Sequence, residues 1–124
     1  MINVTEQEKI ESISSLQSSI RKTEKSLSQM TEKGVSTTLV RKRLEALRTG
    51  LDILESVWNQ ESHHHTIDDL KSAQVILEGL LPGIVRIYEK SMLGSPQRTL
   101  LERRIKSLEL AIEEIGNHLD HQKG

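Results

Sequence analysis

Apolar positions recur along this chain every three or four residues. Val40, Leu44, Leu47, Leu51, Leu54 and Trp58 are spaced four, three, four, three, four. That spacing keeps one stripe on one face of an α-helix. Leu101, Ile105, Leu108, Ile112, Ile115 and Leu119 repeat the pattern 61 residues later. Ile13, Leu16, Ile20, Leu27 and Met30 form a similar stripe, with Thr23 in the remaining place, and so do Leu70, Ala73, Leu77, Leu80, Ile84 and Ile87. The pattern predicts four helices over about 5–32, 36–59, 67–92 and 96–120. The punctuation agrees. Gly34 follows the first helix, and Ser36 or Thr37 can cap the second. ESHHH separates the halves, and Thr66 or Asp68 can cap the third helix. Gly94 stops it, and Ser95 with Pro96 opens the fourth.

Short connections favour antiparallel neighbours. The expected architecture is all-α: one domain over 1–124, an up-down-up-down antiparallel four-helix bundle. Thr38, Leu39, Arg43 and Leu47 match Thr99, Leu100, Arg104 and Leu108 at the same offset of 61. Two origins fit this, a duplicated hairpin or two bundle helices that converge on one heptad pattern. The first helix carries Ser12, Ser14, Ser15, Ser18, Ser19, Ser26 and Ser28, which lower its intrinsic propensity. Its formation should depend on packing, with a three-helix core as the fall-back.

The stretch ILEGLLPGIVRIY (76–88) is apolar yet holds Gly79, Pro82 and Gly83. Pro82 removes a backbone donor and crowds the carbonyl of Glu78. The stripe stays in phase across it, which predicts one kinked helix rather than two. Ile76, Leu81, Val85 and Tyr88 fall beside the stripe. They either widen the buried face or form an apolar patch for a partner or a second copy. Leu81, Val85 and Tyr88 are the candidate partner-binding residues.

Composition narrows the chemistry. Of 124 residues, 35% are hydrophobic and 28% charged; Trp58 and Tyr88 are the only aromatics, so the core must be aliphatic. Cysteine is absent, which removes disulfides, thiol nucleophiles and thiolate metal sites. The opening MINVTEQEKIESISS has no apolar run flanked by bases. Neither a signal peptide nor a membrane span is expected there, and a soluble intracellular protein is the default. No nucleophile elbow, phosphate loop or dinucleotide loop occurs, and no carboxylate pair falls on the inner stripes. A non-enzymatic protein without cofactor is therefore expected.

Net charge is −1, so its distribution matters more than its sum. In an up-down-up-down bundle, helices two and four would begin at one end, bringing Arg41, Lys42, Arg43, Arg103 and Arg104 together. Helix dipoles do not explain bases at helix starts. These five are the candidate anion-binding set, for phosphate or an acidic protein, unless they simply form a solvated face with in-helix pairs such as Arg41 with Glu45. His63, His64 and His65 sit in the central linker and His118 and His121 near the last helix end. Consecutive loop histidines do not converge on one ion unaided, so no metal site is assigned.

Residues 36–60, STTLVRKRLEALRTGLDILESVWNQ, follow the amphipathic SSIRKTEKSLSQM (18–30). This arrangement resembles the N-terminal helical part of Gag-like proteins of insect LTR retroelements: a basic-hydrophobic helix, a short break, then a leucine-rich helix ending near Trp. The resemblance implies assembly and protein interaction rather than catalysis. The expected function is thus a helical protein–protein interaction or assembly module acting near Pro82. The alternative is an anion- or nucleic-acid-binding module.

Overall fold

A computed structural model describes residues 4–123, and among these every regular element is helical. Helix α1 spans Glu6–Lys33, α2 Thr38–Trp58, α3 Ile67–Lys90 and α4 Pro96–Lys123. The local chemistry sets these limits. Thr5 and Thr66 each close a capping box, with Glu8 and Asp69 respectively. Ser95 Oγ accepts the backbone N–H of Arg98, ahead of the proline that opens α4. At the start of α2, Thr37 makes no side-chain cap; its hydroxyl accepts from Arg41 Nε instead, 2.9 Å away. Gly34, at φ 72°, closes α1.

Helix α3 runs unbroken through Pro82. Glu78, Gly79 and Pro82 all face solvent, so water can satisfy the carbonyl that proline leaves without a donor. Leu70, Ala73 and Leu77 are buried, as their stripe requires, but Ile87 is about half exposed. An ideal helix counted from Leu70 in steps of 3.6 residues arrives at Tyr88, not at Ile87. Tyr88 accordingly turns partly inward.

The core joins all four helices: Leu16 and Ile20 of α1, Leu44, Leu47, Ile53 and Leu54 of α2, Leu70 and Leu77 of α3, and Leu108, Ile115 and Leu119 of α4. Helices α2 and α4 touch each other and both remaining helices, whereas α1 and α3 do not meet. That explains why α2 buries eight residues and α1 only Ser12, Leu16 and Ile20. Serine-rich α1 is nonetheless docked, with Leu16 fully enclosed.

Chain directions follow from pairs of touching residues. Glu24 binds Arg48 and Lys9 lies over Trp58, so α1 and α2 are antiparallel. The Tyr88 hydroxyl donates to Glu102 and Gln74 reaches Gly116, so α3 and α4 are antiparallel. Glu8 pairs with Lys106 at 3.0 Å and Glu11 with Arg103 at 3.2 Å. The beginning of α4 therefore lies beside the beginning of α1, next to the end of α2. The end of α3 must share that location, which makes α3 run the same way as α2. The groove between them agrees, with Lys42, Glu45, Ala46 and Thr49 facing Asp69, Ser72, Ala73 and Ile76. These contacts correct the expected alternation: the order is up-down-down-up.

The correction has a local cause. Residues 59–60 form a tight helix end in which Glu61 N–H donates to Ser56 O and Gln60 N–H to Val57 O. Gln60 takes φ 57°, the left-handed conformation that glycine usually occupies. The chain then turns back, and His65 reaches Asp52, well inside α2. With residues 59–61 held in that turn, the rest of the linker runs back along α2 to the start of α3.

Candidate functional site

Leu81, Val85 and Tyr88 are all half-buried rather than free. Leu81 packs against the core. Tyr88 belongs to the corner between α3 and α4. Its hydroxyl donates to Glu102 Oε1 at 2.9 Å, and the Arg98 guanidinium lies 4.0 Å from its ring centroid. Arg98 Nη1 also donates to Tyr88 O at 2.9 Å and to Ser91 O at 3.1 Å. One cation thus satisfies the last carbonyls of α3 while stacking on its final aromatic ring.

The corner held by Arg98 carries the most exposed apolar side chains of the described residues. Met92 is 80% and Leu93 86% exposed, with Ile87 and Leu100 flanking them in sequence, both more than half exposed. A heptad reading misses Met92 and Leu93 because they lie between helices. The available signal was two consecutive large apolar residues in a short turn, where polar residues are usual.

The five cations expected at one end are divided. Arg41, Lys42 and Arg43 lie at the start of α2, beside the end of α1. Arg103 and Arg104 lie in the early part of α4, beside the start of α1 and the end of α2. About 24 Å of helix separates the levels of Lys42 and Trp58. Arg41 turns back to Thr37 rather than pairing with Glu45. What the fold does bring together is a different set. A groove of ≈ 400 Å³ between α1 and α4 is lined by Arg21, Lys22, Arg103 and Arg104. Arg21 and Lys22 drew no attention in the sequence, because they fall off the apolar stripe of α1 and nothing local marks them as part of a groove.

The histidines meet in part. The His63 ring lies 5.0 Å from that of His118 and 5.9 Å from that of His65, between centroids. His65 Nε2 is 2.9 Å from Asp52 Oδ2, and His118 Nδ1 is 2.8 Å from Glu114 O. Burial, with the neighbouring His118, His65 and His64 adding to it, holds His63 below the ordinary imidazole value of 6.5; Asp52 opposes this. Among the described residues no group of three or more His, Asp or Glu side chains is arranged to hold a metal ion. Nor is any described helix long and apolar enough to cross a membrane.

Comparison with known protein families, with curated proteins and with solved structures gives no match for this chain.

Proposed function

We propose that this chain is a non-catalytic helical assembly module that docks a second copy of itself through the apolar corner between α3 and α4. The observation that carries this reading is the pairing of Met92 and Leu93, each at least four-fifths exposed, on a turn braced by Arg98. Burying two such side chains is worth about 3–6 kcal/mol. A rigid corner also loses little conformational freedom on docking. Tyr88 lies behind this surface and braces it through Arg98, while Leu81 and Val85 are half-buried further back along α3.

The architecture is read here as two copies of one hairpin, α1–α2 and α3–α4, related by an internal twofold. Several observations support this beyond the shared heptads. The two capping boxes, at Thr5 and Thr66, are 61 residues apart, as are the enclosed Leu16 and Leu77. A Cβ built on Gly50 would lie 3.2 Å from that of Ala111, its counterpart at the same offset. Residues that touch their own equivalents mark a twofold axis. Under that operation α1 maps on α3 and α2 on α4, with directions reversed, which agrees with the up-down-down-up order. A fold built by pairing copies fits an assembly role. The resemblance of 18–60 to helical parts of Gag-like proteins points the same way.

The test is absolute mass by light scattering behind gel filtration, at low and high salt. The expected result is a salt-resistant dimer for the native chain and a monomer of native helicity for the double variant Met92→Ser, Leu93→Ser. A native chain that stays monomeric at high concentration would refute the reading.

A further inference from the structure

We propose that the groove between α1 and α4 is a docking site for an acidic, amphipathic helical segment of another protein. One wall is α1, which contributes Ser14, Ser15 and Ser18 with Arg21 and Lys22; the other is α4, with Leu100, Arg103 and Arg104. Four cations face a single carboxylate, Glu11, and Arg103 already binds it at 3.2 Å. Arg21, Lys22 and Arg104 enter no ion pair among the described residues. Arg104 Nε is also buried without a hydrogen-bond partner. A buried donor of that kind is costly to leave unmet, and more so on a charged group.

The occupant follows from how charge and apolar surface are combined. Ile10 and Leu100, 62% and 59% exposed, line the same groove as the cations. From Ile10 to Lys22 the α1 wall runs about 18 Å. A helix of three to four turns would cover that length, placing apolar residues on Ile10 and Leu100 and carboxylates on Arg21, Lys22 and Arg104. A nucleic acid strand has no use for the apolar residues, and no aromatic ring lines the groove to stack its bases. The serines of α1 gain a role too. Small hydroxyl side chains keep the wall low enough for a helix to approach and can donate to carboxylates. The groove between α2 and α3, where Lys42 lies among Glu45 and Asp69, has no such excess of positive charge.

The experiment uses the full chain and fluorescence anisotropy. The probe is a labelled synthetic helix with glutamates on one face and leucines on the other. Its counterpart with lysines for glutamates and a labelled single-stranded oligonucleotide serve as comparisons. The acidic peptide should bind at low salt and weaken as salt rises. The variants Arg104→Gln and Arg21→Gln with Lys22→Gln should each weaken it about tenfold or more, with circular dichroism unchanged. Glu11→Gln should tighten it, since it frees Arg103 and removes the one carboxylate. The Met92→Ser, Leu93→Ser variant should bind normally, which separates this site from the assembly corner. Equal binding of the lysine peptide, tighter binding of the oligonucleotide, or no response to Arg104→Gln would overturn the proposal. So would a self-association lost in Arg104→Gln, which would make the occupant a second copy.

Discussion

At Gly50, α2 lies close against α4 and against the Leu77 side chain of α3. An added Cβ would meet Ala111 Cβ and Leu77 Cδ1, each at 3.2 Å. Alanine is the better helix former by about 1 kcal/mol, but the Ala111 methyl is fixed to its backbone and overpacking costs about 1–3 kcal/mol. Gly50→Ala should therefore lower stability by about 1 kcal/mol in urea unfolding. Gly79 is the internal control. It is helical, exposed, and nothing would touch its added methyl. Gly79→Ala should raise stability by about 0.5–1 kcal/mol. Equal shifts for the two variants would mean that the helices do not approach at Gly50. Arg98 is the other decisive single residue, since removing it strips the α3 end of several charge-assisted hydrogen bonds. Arg98→Ala should cost about 1–3 kcal/mol and release the corner that presents Met92 and Leu93.

At the level of elements, the linker between α2 and α3 decides the architecture. Its imidazoles pin it: His65 to Asp52 of α2, and His63 against His118 of α4. The carboxylates of Asp52, Glu55 and Glu61 line the same pocket as His63, His64 and His65, with Ser56, Asn59 and Ser62, and His118 contacts Glu114 O. The folded pKa of His63 is depressed, so between that value and 6.5 the unfolded chain binds more protons than the folded one. Stability must then rise with pH across that window and fall as pH drops below 6.5. Thermal unfolding followed between mildly acidic and neutral pH should show this fall, and His63→Gln should flatten it. Glu8 acts at lower pH. Lys106 first, and then the capping bonds of Thr5, hold its carboxylate below 4.5. Its contribution is present above that value and is lost as pH falls through the folded one. A second prediction concerns length. Deleting Glu61–His63 leaves too little chain to return along α2. The variant should unfold, or fold only by exchanging hairpins as a dimer, as read by circular dichroism and light scattering. A stable monomer would contradict the parallel pairing of α2 with α3.

Over the whole molecule, the up-down-down-up order redistributes charge and function. Bases that an alternating bundle would gather at one end are split between two. Arg21 and Lys22 of α1 line one groove with Arg103 and Arg104 of α4. The apolar corner lies beyond the start of α4, close in sequence to Leu100, so the proposed assembly surface and the groove adjoin at one end. Dimerisation through Met92 and Leu93 should consequently leave the groove accessible along most of α1. Adding the acidic peptide to the dimer should leave its dissociation constant unchanged to within about twofold, as measured by sedimentation.

The four helices and nearly all their limits are legible along the chain. Heptad spacing, capping threonines and the Ser95–Pro96 start are local features that act within a few residues. The aliphatic core is legible too, because Leu16, Leu47, Leu54, Leu77, Leu108 and Ile115 lie on stripes that only burial explains, and so is the continuity of α3 through Pro82. Tertiary structure alone decided the direction of α3, since an eight-residue linker permits either a simple reversal or an extended return. The choice fell to Gln60 in a left-handed conformation, a state that no local rule assigns to glutamine, and to small residues that let α2 approach α3 and α4. The side chains that share a groove depended on that choice. The cations at Arg41–Arg43 therefore do not join Arg103 and Arg104; Arg21 and Lys22, unremarkable on a linear reading, line a groove with that pair.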